Sequence, residues 1–178
     1  MTRESQAQAP GDAQAGASVG AELVIRAEHP DSPVARALID AVQDEYRHRY
    51  GGPDETPIEP ASFAPPSGVF AVGWIDGRPV ASGALRRRDD VTGEIKRMYV
   101  APDERRHGVG AAMLRWLENA ADRIGYRRLV LETGDEQPEA LAMYRSAGYE
   151  PVEPYGYYRC HPDAHALGRT LGRGSSSR

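Results

Sequence analysis

The feature that most constrains the fold of this chain is the stretch from Gly93 to Ala111, GEIKRMYVAPDERRHGVGA. Glu94 to Val100 has the length and apolar content of a largely buried strand. Pro102 marks the end of that strand, because proline cannot donate to a strand ladder. The basic loop that follows carries Gly108 and Gly110 at the start of an apolar helical pattern. The stretch therefore predicts a strand, a turn and the first turn of a helix.

A helix that begins in this way favours an anion. Glycine has no Cβ, so backbone N–H groups can approach a ligand closely. The first N–H groups of a helix have no acceptor within the helix, and the helix dipole is positive at that end. Arg105 and Arg106 add positive charge just before the glycines. We therefore predict a site for a phosphate-bearing ligand at the start of this helix.

Two motifs of the chain resemble signatures of the GNAT superfamily of acyl-CoA-dependent N-acetyltransferases. The pattern RxxGxG from Arg105 to Gly110, preceded by a strand that ends at Val100, resembles the pyrophosphate-binding motif of that family. The segment from Ala140 to Tyr149, ALAMYRSAGY, resembles its second signature, a helix with one tyrosine that ends in glycine and an aromatic residue. The motifs occur in the order and separation usual for the family, and the resemblance covers about residues 21 to 160.

The resemblance implies an α/β (α+β) fold of the GNAT type, with a mixed, mostly antiparallel sheet, splayed central strands and helices on both faces. The order of elements along the chain by itself favours a mixed sheet with helices on both faces. The segment from Asp31 to Gly52 predicts a helix with a capping residue at its start and glycines at its end. Val69 to Ile75 and Pro79 to Leu85, joined by an Asp-Gly pair, predict a hairpin.

The length of 178 residues predicts one domain. We expect a disordered tail over residues 1–20, the N-acetyltransferase domain over 21–160 and a flexible tail over 161–178, because both ends offer little to bury. The net charge of −4 argues against nonspecific binding to nucleic acid or to an anionic membrane. The chain shows neither an apolar membrane span nor a secretory signal, which predicts a cytoplasmic location. A homodimer is left open.

The resemblance also implies acetyl-CoA as cosubstrate, with no metal. Backbone groups of the central strand would pair with the pantetheine arm, and the basic loop would hold the pyrophosphate. Gln137 stands where many relatives have asparagine, and His107 could instead face solvent. The residues expected to contact acetyl-CoA are Met98, Tyr99, Val100, Arg105, Arg106, His107, Gly108, Val109, Gly110, Ala111 and Gln137.

Acyl transfer to an amine needs a group that accepts a proton and a group that assists the departing sulfur. By resemblance, Glu94 is the candidate base, unless it pairs with a neighbouring cation, and Glu132 is the second candidate. Tyr144 would hydrogen-bond the sulfur, although the same tyrosine could merely pack in the core. A backbone N–H at Met98 or Tyr99 would stabilise the oxyanion.

These residues predict an N-acetyltransferase that moves an acetyl group from acetyl-CoA to a primary amine of a small molecule, an amino acid or a peptide, by direct attack in a ternary complex. Glu94, Glu132 and Asp135 would form a partly acidic mouth that suits a cationic amine. The alternative is a catalytically silent acyl-CoA sensor or protein-interaction module. A nucleotide phosphotransferase is disfavoured, since the loop lacks the Gly-Lys-Ser/Thr ending that holds terminal phosphates.

Overall fold

The structure is a computed structural model that describes residues 22–56 and 59–172. The N-terminal tail expected over residues 1–20 lies outside the described residues. The strands are β1 (Val24–Glu28), β2 (Val69–Ile75), β3 (Arg78–Arg87), β4 (Thr92–Val100), β5 (Arg128–Gly134), β6 (Glu150–Pro151) and β7 (Ala164–Thr170), and the helices are α1 (Pro33–Tyr50), α2 (Val109–Ile124) and α3 (Pro138–Ser146).

The strands form one sheet in the order β1-β2-β3-β4-β5-β7-β6. All neighbouring strands are antiparallel except β4 and β5, which run parallel. The pairing of β4 with β5 stops at Ile95 and Leu131, so the remaining residues of the two strands separate. The predicted sheet, mixed and mostly antiparallel with splayed central strands, is therefore confirmed.

The helices begin and end where the sequence predicts. The Ser32 Oγ accepts a hydrogen bond from the Ala35 N–H at 3.2 Å and caps α1. Gly51 ends α1 in the left-handed conformation, with φ of 77°. Gly108 and Gly125, with φ of 79° and 107°, stand at the two ends of α2 in the same conformation. These turns need positive φ, which explains why glycine occupies them.

The core has two layers, one on each face of the sheet. On one face α2 and α3 pack against the central strands through fully buried side chains such as Met113 and Leu117. On the other face α1 and a short 3₁₀ turn (Pro60–Phe63) pack through Leu38, Phe63 and Phe70. Helices thus cover both faces, as predicted, and each helix contributes its apolar stripe to a core.

The structure corrects the expected C-terminal tail. Ala164–Thr170 forms β7, which pairs with β5 along the whole of that strand and also with β6. Ala166 and Leu167 are buried there. The prediction of a flexible tail from residue 161 is therefore wrong for these residues. Its error has a physical cause, because the small and basic residues of AHALGRT give a weak strand pattern and take their stability from the neighbouring strand.

A β-bulge distorts β4 just beyond the point where it leaves β5. In the register with β3, Ala84 faces Lys96 and Ser82 faces Tyr99, so Gly83 lies opposite two residues of β4. One of the two, Arg97, has a φ of 56°, a conformation that residues with a Cβ rarely adopt. A bulge bends its strand and increases the local twist. The bulge therefore accounts for the way β4 turns away from β5.

Gly83→Ala tests how tightly the bulge packs on α2. A Cβ built on Gly83 lies 2.7 Å from Leu117 Cδ1 and 2.9 Å from Met98 Sδ, closer than carbon atoms pack. We expect the substitution to lower the free energy of unfolding by about 1–3 kcal/mol, measured by urea denaturation. Gly52→Ala is the matched control, since no atom of the described residues lies within 4 Å of its added methyl group. Equal stability of the two variants would contradict the packing described here.

Candidate active site

A cleft of about 1240 Å³ opens where β4 and β5 separate. Its floor consists of the last residues of β4 and β5. One wall is formed by α1 and the segment that follows it, and another by the N-terminal ends of α2 and α3. Residues 157–164, which lead into β7, close the remaining side. Segments distant in sequence therefore meet at the interrupted strand pair.

The start of α2 presents a row of backbone N–H groups to this cleft. Among the described residues, none of the N–H groups from Arg106 to Ala111 donates to a backbone acceptor, and the first bond of the helix is Ala112 N–H to Gly108 O, at 2.9 Å. Gly108, Gly110 and Ala111 line the cleft, and a Cβ on Gly108 would meet nothing within 4 Å. We call residues 106–111 the N–H cradle. Its unpaired donors and the helix dipole suit an anion.

Arg105 anchors this loop to the rest of the domain. Its Nη2 lies 2.5 Å from Glu45 Oε2 on α1, and its Nε donates to the Val100 carbonyl at 2.9 Å. Its own N–H donates to Pro102 O at 3.3 Å. Arg105 therefore joins α1, the end of β4 and the loop. Its guanidinium is thus paired with protein groups on two sides.

A network of buried charges forms the floor of the cleft. Lys96 Nζ lies 3.5 Å from Glu132 Oε2 and 3.8 Å from Glu94 Oε1. Beside this group, Arg97 Nη1 lies 2.5 Å from Asp54 Oδ2. Burial acts to raise the pKa of Asp54, but the positive charge of Lys96, hydrogen bonds from Thr56 and the Arg97 guanidinium lower it overall. Asp54 is therefore held as a carboxylate.

The two candidate bases differ in their access to the cleft. Glu94 is only 3% exposed, does not line the cleft and accepts a hydrogen bond from Arg86 Nε at 2.6 Å. Glu132 lines the cleft, and burial raises its pKa, helped by the nearby Glu94 charge and opposed by Lys96. Glu94 thus lies outside the residues that line the cleft, and its assignment as the base stays a prediction. The salt bridge with Arg86, eight residues earlier, explains its position.

Two tyrosines, one from α1 and one from α3, line the cleft. Tyr144 on α3 and Tyr46 on α1 both line it, and burial raises the pKa of each hydroxyl. The Tyr144 ring packs against Tyr149, with centroids 5.9 Å apart. The Tyr144 hydroxyl therefore stays protonated near neutral pH, which keeps it a hydrogen-bond donor toward a group in the cleft.

Aromatic side chains also connect the segments that border the far end of the cleft. The Tyr157 hydroxyl donates to Glu55 Oε2 at 3.0 Å, and the Tyr158 hydroxyl accepts from the Glu55 N–H at 2.8 Å. The two tyrosine rings contact each other edge to face, with centroids 5.0 Å apart. The segment after α1 and the segment before β7 are thus joined into one wall. We call Glu55, Tyr157 and Tyr158 the tyrosine wall.

Most of the residues predicted from sequence to contact a cofactor border the cleft. His107 does not line it and is exposed, and Val109 is buried in the core. Gln137 lines the cleft at the start of α3 and accepts a hydrogen bond from the Thr133 hydroxyl at 3.3 Å. The residues of the prediction that border the cleft are Met98, Tyr99, Val100, Arg105, Arg106, Gly108, Gly110, Ala111, Gln137 and Tyr144.

Sequence reasoning did not predict that Asp54, Lys96 and Arg97 border the cleft. The alternation of Glu94 and Lys96 along a strand could have placed both on one face. The position of Arg97 depends on its positive φ, and that of Asp54 on a loop, neither of which has a sequence signal. In the described part of the chain, no group of three or more His, Cys, Asp or Glu side chains is placed to hold a metal ion. No helix there combines the length and the apolar content needed to cross a bilayer.

The structure thus combines a helix start that suits an anion with an interrupted pair of parallel strands. The profile of the acetyltransferase (GNAT) family matches residues 33–149. The chain belongs to this family, and it is an N-acetyltransferase of the GNAT type. The resemblance inferred from the two motifs is therefore confirmed.

Individual relatives agree with this assignment. The chain is 29% identical over 136 residues to an IAA acetyltransferase of Azospirillum brasilense, which covers 74% of this chain and 89% of that protein. It is 33% identical over 108 residues to YedL, an uncharacterized N-acetyltransferase of Escherichia coli, covering 60% of this chain and 68% of that one. It is 26% identical, with a TM-score of 0.71, to a Klebsiella pneumoniae structure described as a candidate acyl-CoA N-acyltransferase, covering 84% of this chain and 98% of that one.

A fourth comparison concerns the fold alone. The structure of a GNAT family acetyltransferase from Elizabethkingia anophelis, which has acetyl-CoA bound, is 18% identical to this chain. It matches with a TM-score of 0.61 over 84% of this chain and 98% of that one. The same arrangement of strands and helices therefore accommodates acetyl-CoA in that protein.

Proposed function

We propose that this chain transfers an acetyl group from acetyl-CoA to a primary amine by direct attack within a ternary complex. The single observation that carries the proposal is the juxtaposition of the N–H cradle, which suits a pyrophosphate, with the gap between β4 and β5. A phosphate held in the cradle leaves a linear arm free to run along the edge of β4 that no longer pairs with β5. The arm would bring its thioester to the floor of the cleft.

The residues present fit acetyl-CoA. Within the described residues, the N–H donors of the cradle have no backbone acceptor. Gly110 lets the helix start pack close to α3, since a Cβ there would lie 3.0 Å from Met143 Sδ. Arg106 borders the cleft next to the cradle and adds positive charge. Met98 to Val100 offer the unpaired strand edge to the pantetheine arm.

The chemistry is an acyl transfer in which one C–N bond replaces one C–S bond. The acceptor amine first loses a proton, because an ammonium has no free electron pair. Attack on the thioester carbonyl forms the C–N bond, and the C–S bond then breaks. The sulfur leaves as a thiolate and takes up a proton, giving free CoA thiol. An N–H on β4 near the bulge, at Met98 or Tyr99, would hydrogen-bond the developing oxyanion.

Glu132 is the base that we propose. It lines the cleft, whereas Glu94 is held by Arg86 outside it. The raised pKa of Glu132 also makes it a stronger base than an ordinary glutamate. Tyr144, kept protonated by burial, would donate a hydrogen bond to the departing sulfur. The base would accept the proton directly or through one water molecule.

The acceptor is a small molecule, an amino acid or a peptide with a free amine. The experiment mixes the full chain with acetyl-CoA and a panel of such amines, and follows free thiol together with the mass of the amine product. We expect thiol release that depends on an amine and a product heavier by one acetyl group. Tight binding of acetyl-CoA without turnover of any amine would instead favour a silent acyl-CoA sensor.

Gly108→Asp tests the cradle. We expect the affinity for acetyl-CoA, measured by calorimetry, to fall by at least about 100-fold, because the added carboxylate would occupy the N–H groups and repel the pyrophosphate. Gly125→Asp is the matched control at the other end of α2. Both glycines have positive φ and no described atom within 4 Å of a built Cβ, so both variants carry backbone strain, and the strain is larger at Gly125, where φ is 107°. A similar loss of affinity in the two variants would contradict the assignment of the cradle.

Glu132→Gln tests the base. In wild type, kcat/KM should decrease as the pH falls through a pKa above the usual value of 4.5, because protonation removes the base and burial raises that pKa. In Glu132→Gln we expect kcat to drop by about 10²–10⁴-fold, with this pH dependence lost and acetyl-CoA affinity kept. Glu94→Gln removes a charge of the same network outside the cleft and should keep most of kcat. A larger loss of kcat in Glu94→Gln than in Glu132→Gln would instead support Glu94 as the base.

A further inference from the structure

Two adjacent cations lie at the bottom of the cleft, where β4 leaves β5. Lys96 and Arg97 are each only 7% exposed, and both line the cleft. A buried charge is unfavourable unless it is paired and hydrogen-bonded. If either cation has a hydrogen-bond donor without a partner in the protein, that donor indicates a group that binds in the cleft.

Lys96 has its partners within the protein, but Arg97 keeps donors free. The Arg97 guanidinium gives one hydrogen bond, from Nη1 to Asp54 Oδ2 at 2.5 Å. Its Nε and Nη2 donate to no acceptor in the described part of the chain. A guanidinium presents its N–H groups as a planar fork that matches two oxygens of a carboxylate. Arg97 lines the cleft, so its Nε and Nη2 donors belong to a side chain that a bound molecule can reach.

The charges of the floor are balanced before any acceptor binds. Each carboxylate of the network already has a cation as its partner, so the floor offers no excess negative charge to a simple ammonium. A zwitterion adds no net charge to the floor. Its ammonium can pair with a carboxylate of the network and its carboxylate with a cation of the network. The paired groups are Arg86 with Glu94, Lys96 with Glu94 and Glu132, and Arg97 with Asp54.

We propose that the acceptor carries a carboxylate besides its amine, as a free amino acid does, and that Arg97 binds this carboxylate. The inference rests on the proposed acetyl transfer and narrows its acceptor. The amine then lies on the side of Glu132, which neighbours Lys96 across the separated strands. A peptide N-terminus has no carboxylate next to its amine, and a simple amine has none at all. Both leave the fork of Arg97 without its second partner.

Matched acceptors test the proposal in wild type. Several L-amino acids are each compared with their own carboxamide and their own decarboxylated amine, in the assay of thiol release from acetyl-CoA. We expect kcat/KM for the amino acid to exceed that of both analogues by about tenfold or more, the usual scale of a hydrogen bond to a charged group. Equal or better turnover of the analogues would overturn the inference and leave the acetyltransferase activity intact. Absence of turnover with every amine would overturn the proposed function, and this inference with it.

The variant Arg97→Lys tests whether carboxylate binding needs the paired donors of the guanidinium or only its positive charge. Lysine keeps a cation beside Asp54 but lacks the planar pair of donors. We expect KM for the amino acid to rise about tenfold or more, while kcat/KM for the decarboxylated amine and the affinity for acetyl-CoA stay the same. Arg115→Gln, an exposed arginine on α2, is the control and should change neither acceptor. An equal loss with both acceptors in Arg97→Lys, at unchanged acetyl-CoA affinity, would overturn the role of Arg97.

Discussion

The separation of β4 from β5 beyond Ile95 and Leu131 is the constraint on which the site depends. Parallel strands that stayed paired would hydrogen-bond each other and leave no backbone for a ligand. The bulge at Arg97 bends β4 away, and the N–H cradle lies at the end of the gap so formed. The strand edge and the helix start are therefore presented to one cleft, although each is an ordinary element by itself.

The same bulge also determines where two cationic side chains of β4 lie. A residue in the left-handed conformation reverses the expected alternation of side chains, so Lys96 and Arg97 both border the cleft instead of lying on opposite faces of the sheet. Burying these cations is favourable only together with Asp54 and Glu132. The geometry of the backbone and the electrostatics of the floor are thus consequences of one local distortion.

The sequence predicted the elements that are specified locally. Gly51 and Gly125 mark helix ends through their positive φ, and the RxxGxG loop marks the cradle through its glycines. It missed β7, whose residues gain stability only by pairing with β5. The family resemblance named Glu94 as the candidate base. The Arg86 salt bridge of Glu94 could not be predicted, because it depends on the register between β3 and β4.

The tyrosine wall lies outside the elements that form the N–H cradle and the strand edge. Glu55, Tyr157 and Tyr158 come from two connecting segments, neither of which contributes to the N–H cradle or to the strand edge. The two segments hydrogen-bond to each other and form one wall of the cleft that is separate from α2. Substitutions in these two connections can therefore alter the far end of the cleft without replacing any residue of the N–H cradle or of the β4 edge.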